Sequence, residues 1–238
     1  GATTNNGTLT LTFTSSEAIT NFTSGSLTLS GGSLSSFSAT SSSVFTGVFT
    51  PSADGATTID IAADIFADAA GNTNTAVPQF NWTYDSTRPT MTITATNGNT
   101  TVANDAITKD STLTLTFTSS EVTTDFTAED VTVSEGTLSD FAATSTSVYT
   151  AKFTPSSNGT STIDVAASTF TDAVGNNNTA AVQFKWTYDG MPPTITITAS
   201  NGSNVVADSS RSQDTSLTVT FTSSEATTDF NADSINVI

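Results

Sequence analysis

The nine residues Leu9-Thr10-Leu11-Thr12-Phe13-Thr14-Ser15-Ser16-Glu17 return letter for letter at 113–121 and, with one change, at 217–225. Trp82-Thr83-Tyr84-Asp85 likewise returns at 186–189. The period is about 104 residues, and self-similarity at fixed spacing marks an array in which each repeat folds as one unit. A unit of that size can bury one core of its own. The 238 residues are therefore expected to hold a first module over 1–85, a second over 86–189 and the start of a third over 190–238. Arrays of this kind span distance or present many copies of one surface, and seldom carry out chemistry.

Composition removes several functions. With 0 Cys and 0 His, the chain has no disulfide or thiol chemistry, no histidine-dependent catalysis and no zinc site of the usual kind. A formal net charge of -17 opposes nucleic acid, whose phosphates need Lys and Arg, and it opposes anionic membrane surfaces. Divalent cations are attracted instead. Ser and Thr exceed a third of the chain while charged residues are 11%, which suits strands whose outer faces carry threonine. No apolar run reaches the ~20 residues of a membrane span. No signal peptide is visible, and since Gly1 falls inside a repeat, upstream targeting sequence is expected to lie outside the chain.

Two-residue alternation places the strands of the second module. Met91 to Ala95 forms the first. Leu113, Leu115 and Phe117 point inward from the next, with threonines outward. Val131 and Val133, a stretch around Leu138 and Phe141, Val148 to Phe153 stopped by Pro155, and Ile163 with Val165 follow. The last strand puts Val182, Phe184, Trp186 and Tyr188 on one face and Gln183, Lys185 and Thr187 on the other. About seven short strands with turn signals at this spacing predict an all-β fold, an antiparallel two-sheet sandwich in each module, with a barrel as the weaker alternative.

The junctions Tyr84 to Thr90 and Tyr188 to Thr194 are short and stiffened by Pro89, Pro192 and Pro193, so the modules are expected to stack end to end as a semi-rigid rod. Residues 1–8 align with 105–112, so the first module lacks its first strand. The third stops at Ile238 inside a strand. Two readings stay open: the chain is a window of a longer one, or a neighbouring chain completes the broken modules by strand donation.

The segments Pro89 to Thr94, Leu113 to Glu121, Asp172 to Asn176 and Trp186 to Asp189 together resemble the tandem bacterial Ig-like repeats of large cell-surface adhesins. The resemblance covers essentially the whole chain. It implies tandem Ig-like sandwiches stacked end to end, an extracellular or cell-surface location, a stalk role and no enzyme activity.

In such a sandwich the loop after the second strand and the loop before the last one meet at the end where the first strand begins. That would gather Asp85, Glu121, Asp125 and Asp172, with Asn176, at the joint between the first two modules. Calcium, which takes 6–8 oxygen ligands, would relieve their repulsion. The next joint offers Asp189, Glu225 and Asp229. The first module offers Glu17 and Asp68, with Asn21 where its siblings carry Asp. The competing reading is that Asp172 to Asn176 is only a tight turn and Glu121 only caps its own loop, since Asp, Asn and Gly are what turns require.

Other features carry less. Asp60 and Asp164 alternate with apolar residues and should face water. Trp82/Tyr84 and Trp186/Tyr188 could stack on a sugar, but their alternation places them in the core or against the next module. Asn-x-Ser/Thr sequons at Asn6, Asn21, Asn81, Asn99, Asn158, Asn177 and Asn201 are candidate glycan acceptors. The partners expected are neighbouring modules of the same chain, other copies in a filament, or a surface glycan.

Overall fold

Alternating apolar residues and threonines draw the backbone into strands, because β-branched Thr fits the pleated, half-exposed face opposite a buried one. The computed structural model describes residues 1–236. Its first unit holds β1 (Thr3–Thr4), β2 (Leu9–Thr14), β3 (Thr28–Ser30), β4 (Gly32–Ala39), β5 (Val44–Pro51), β6 (Gly55–Asp60) and β7 (Phe80–Tyr84). They form two sheets, ordered β1-β7-β6-β3 and β2-β5-β4. The second unit holds β8 (Met91–Asn97), β9 (Thr100–Val102), β10 (Ala106–Thr108), β11 (Leu113–Ser119), β12 (Val131–Val133), β13 (Gly136–Ala143), β14 (Val148–Pro155), β15 (Gly159–Val165) and β16 (Phe184–Tyr188). Its sheets run β10-β16-β15-β12 and β13-β14-β11-β8-β9. In a third stretch β17 (Ile195–Ser200), β18 (Val205–Val206) and β19 (Thr218–Ser223) make one three-stranded sheet, ordered β18-β17-β19. The strand expected at Ile238 lies outside the described residues.

The fold is all-β, and two sheets packed face to face give the sandwich expected from the alternation. Pairing is antiparallel except where β1 and β10 lie parallel to β7 and β16. In the second unit Leu113, Leu115 and Phe117 point between the sheets and are at most 1% exposed. Opposite them lie Ile163 and Val165 of β15 and Phe184 and Trp186 of β16, in one continuous buried cluster. Phe126, from the loop after β11, packs edge-on against Tyr149 and Phe170, with ring centres 5.0 and 5.1 Å apart, and so ties both loops at that end to the core.

The structure adds to and corrects the strand pattern. β9 and β10, with β1 in the first unit, are too short for a period-two pattern to reveal. Val182 is not on the inward face of the last strand. The β15–β16 ladder ends at Ile163 and Phe184, and Val182 lies before it, 84% exposed. Gln183 instead turns its amide onto both carboxylate oxygens of Asp164, at 2.9 Å each. Pro155 is the last residue of β14, paired with Gly136; having no N–H, it cannot carry the ladder further.

A carboxylate cluster at the joint between repeats

The linker after β7 is held from both sides. Behind it, Asp54 in the β5–β6 turn accepts hydrogen bonds from the Ser86 N–H (2.8 Å), the Ser86 hydroxyl (2.6 Å) and the Thr87 hydroxyl (2.6 Å). The bonds from Ser86 and Thr87 hold its carboxyl below the usual aspartate range. Ahead of it, the Arg88 guanidinium donates to the Asn177 carbonyl (2.8 Å) and the Asn178 carbonyl (2.9 Å). The Thr179 N–H donates to the Pro89 carbonyl at 2.9 Å. Thr90 and Ser120 exchange two bonds of 2.9 Å, one through the Ser120 hydroxyl. With buried Pro89 fixing the turn, the linker has few free torsions left.

This trapped linker sets Asp85 beside two loops of the next unit. Oxygens of Asp85, Glu121 and Asp172 lie within 4.8 Å of one another, in a depression bordered by Val122, Ala173 and Val174. Asp172 is 7% exposed. One of its oxygens accepts from the N–H groups of Val174 (2.9 Å) and Asn176 (2.8 Å), and the other from the Asn176 side chain (2.8 Å). Burial alone would raise its pKa, but the bonds from Asn176, Val174 and Gly175 bring it below the ordinary value. Asn176 also donates to the Asp85 carbonyl at 3.0 Å, which anchors this loop to the linker. Glu121 behaves oppositely: burial first, then the charges of Asp85 and Asp172, push its carboxyl above the usual glutamate range. Two oxygens on opposite sides of a calcium ion, each about 2.4 Å from it, stand about 4.8 Å apart. An all-carboxylate set at this spacing fits a hard divalent cation.

Not every sequence candidate joins the cluster. Asp125 accepts instead from the Thr171 N–H and hydroxyl (3.0 and 2.8 Å) and the Thr123 hydroxyl (2.8 Å), stitching two loops together. Burial works against its charge, yet these bonds hold its pKa below the ordinary value. Asn21 does the same work one repeat earlier, accepting from the Ala67 N–H at 2.9 Å. Asp68 accepts from the Ala70 N–H, the Asn72 N–H and the Asn72 side chain (2.9, 2.8 and 2.8 Å) within its own turn. Among the described residues, Asp189, Glu225 and Asp229 gather into no comparable group. At that second joint Pro192 stands where Arg88 stands at the first, and Asn158 replaces Asp54, accepting from the Gly190 N–H at 3.2 Å.

Sequence reading missed Asp54, Arg88 and the pair Asn74 and Asn178. Fully buried Asn178 accepts from the N–H groups of Thr169 and Phe170 (2.8 and 3.1 Å) and donates to the carbonyls of Ala166 and Thr179 (2.8 Å each). The only available signal was its recurrence as Asn74 one period earlier. Trp82 and Trp186 are 3% and 0% exposed, so neither offers a face to a sugar. The seven sequon asparagines are all exposed.

A family model described as bacterial Ig-like domain matches residues 1–84 and again 85–188. No curated protein matches the chain. A solved structure of InvD from Yersinia pseudotuberculosis is similar over 82% of this chain and 60% of that one, at 16% identity and a TM-score of 0.37. The chain thus spans less than two thirds of that structure's length.

Proposed function

The chain belongs to the bacterial Ig-like domain family, and from that premise we propose that it is a length of an extracellular stalk that holds an adhesive or surface-attached element away from a cell. The observation that carries this reading is the trapped linker. Asp54 fixes it to the module behind, and Arg88, Pro89 and Thr90 fix it to the module ahead. A joint with so few free torsions transmits direction from one module to the next, as a stalk requires and a flexible tether does not. Each copy adds length on the order of its strands plus loops, roughly 35–45 Å at about 3.3 Å per residue. No helix among the described residues is long and apolar enough to cross a membrane. A deep net negative charge and exposed threonine faces suit a surface that must stay hydrated.

Calcium belongs to this reading as a joint lock. Asp85, Glu121 and Asp172 would hold the ion, joining the linker to both loops of the module ahead and removing their mutual repulsion. The exposed sequon asparagines support glycosylation of the stalk where the producing cell has the machinery. Small-angle scattering of the chain in calcium and then in chelator tests the lock. The expected result is a shorter maximum dimension and a broader distance distribution on chelation. An unchanged profile in both buffers would remove calcium from the reading and leave the hydrogen-bonded linker alone to set the angle.

A further inference from the structure

The two linkers meet different residues in the turn behind them. At the first joint Asp54, in the β5–β6 turn, accepts from Ser86 and Thr87. One period later the β14–β15 turn carries Asn158, which accepts from the Gly190 N–H at 3.2 Å, and Gly190 and Met191 bring no hydroxyl. This turn belongs to the second unit, whose two sheets are both present. Asn158 is exposed and is followed by Gly159, whose φ is 135° and whose Cα faces open space. Asn-Gly pairs also begin at Asn6, Asn97 and Asn201.

We propose that Asn158 is a site of spontaneous deamidation, and that its aspartate product gives the second joint the carboxylate that Asp54 supplies at the first. The Gly159 backbone nitrogen attacks Cγ of Asn158. Its proton and the side-chain amide leave together as ammonia, and a cyclic succinimide remains. Water then opens the ring at Cγ to give aspartate, or at the backbone carbonyl to give isoaspartate. One water is taken up, one ammonia is released and nothing is oxidised. Negative charge develops on Oδ1 as the ring closes. The Gly190 N–H already points at that oxygen and stabilises it, as an oxyanion-hole donor does. The Asn158 amide nitrogen, which must leave, has no partner among the described residues. At Asn97 and Asn201 that nitrogen is held by the Asp110 and Asp214 carboxylates, whose charge opposes a second negative centre beside them. At Asn6, among the described residues, no donor reaches the side-chain carbonyl. Once formed, the aspartate at 158 draws the Gly190 N–H into a charge-assisted bond, shorter and stronger than the present one. A long-lived stalk, as read above, would thus tighten its second joint with age and without an enzyme. The chemistry itself does not depend on that reading.

Asn158 is also a sequon asparagine, and a glycan there would block ring closure, so the test uses the unglycosylated chain. The folded chain is aged in mildly alkaline buffer, digested, and its peptides resolved by mass and by enzymatic methylation of isoaspartate. Asn158 is expected to deamidate several-fold faster than Asn97 and Asn201. In denaturant the rates should converge, because each asparagine then has only its glycine beside it. A rate at Asn158 no faster than at those two, or the same ratio in denaturant, overturns the site. Amide exchange at Gly190 reads the consequence. It should slow several-fold in Asn158→Asp and in the aged chain. It should stay fast in Asn158→Gln, which remains neutral and whose longer side chain does not close the ring readily. Unchanged exchange in Asn158→Asp overturns the tightening of the joint, whatever the rate of deamidation.

Discussion

Leu9 to Glu17 and Leu113 to Glu121 are the same nine residues in two different environments. In the second unit Leu113, Leu115 and Phe117 are at most 1% exposed and belong to one continuous core. In the first, Leu9, Leu11 and Phe13 are half-buried, and the core divides into two clusters, one around Phe22 and Phe45 and one around Phe49 and Trp82. The difference is β8. A strand supplies its neighbour with a backbone partner and also with a lid of side chains; without it the same leucines line a groove. A smaller defect accompanies this one. Trp186 donates its indole N–H to the Thr108 hydroxyl at 3.0 Å, whereas the buried indole N–H of Trp82 has no partner among the described residues. Burial in a repeat protein is thus a property of the neighbour as much as of the repeat.

The comparison breaks most sharply at its shared phenylalanine. Phe117→Ala removes a ring packed on all sides and should cost about 3–5 kcal/mol, as core Phe truncations do. Phe13→Ala, beside the groove, should cost less than half of that. Each unit carries one tryptophan, so denaturant unfolding followed in Trp82→Phe and Trp186→Phe backgrounds reads the two separately. The unit reported by Trp186 is expected to unfold at higher denaturant. Equal losses for the two alanine variants would mean that the groove is filled in solution.

The two joints differ next. Arg88→Met keeps the apolar stem but removes two charge-assisted bonds to the Asn177 and Asn178 carbonyls. Arg88 is exposed, which weakens those bonds, and the expected loss is about 1–2 kcal/mol. Amide exchange should speed up across residues 176–179. The second joint has Pro192 at this position and, among the described residues, no such clamp, so exchange there should not change.

How far the sequence could be read follows from these cases. Alternation locates strands long enough to show a period, and repetition marks tandem Ig-like segments, so the sandwich was legible. The convergence of Asp85, Glu121 and Asp172 was also legible, because the order of strands brings their loops to one end. β1, β9 and β10 were not, since two or three residues show no period. Arg88 and Asp54 were not, because their partners are backbone groups and hydroxyls distant in sequence. Charge alone places Asp125 in the cluster, whereas Asn21 at the same position of the first unit shows that an acceptor for a loop N–H can serve there.

Glu121 tests the electrostatics of the first joint. Burial and the charges of Asp85 and Asp172 raise its pKa in the folded chain, so the folded state binds this proton more tightly than the unfolded one. Stability from this group is full below the ordinary glutamate value and falls as pH rises through the raised one. Glu121→Gln should therefore stabilise the metal-free chain at neutral pH, by less than about 1 kcal/mol because the group is partly solvated. In calcium the order should invert, the wild type melting higher. If Glu121→Gln has no effect in either buffer, the three carboxylates neither repel one another nor share an ion.

Asp125 should give the smallest change and the clearest contrast with Asn21. Its depressed pKa contributes stability above the ordinary aspartate value that is lost as pH falls through the folded one. Asp125→Asn keeps an oxygen for the Thr171 N–H, as Asn21 does for the Ala67 N–H. The expected cost at neutral pH is therefore within about 0.5 kcal/mol, against about 1–2 kcal/mol for Asp125→Ala, which leaves Thr171 and Thr123 without their acceptor. Acid unfolding separates charge from hydrogen bonding at this position. The asparagine variant should lose less stability than the wild type as pH falls from the ordinary aspartate value through the lowered one, because nothing at residue 125 remains to be protonated. A large loss for Asp125→Asn at neutral pH would restore a requirement for charge there, and would make the Asn in the first unit one more reason that its loops are less well tied.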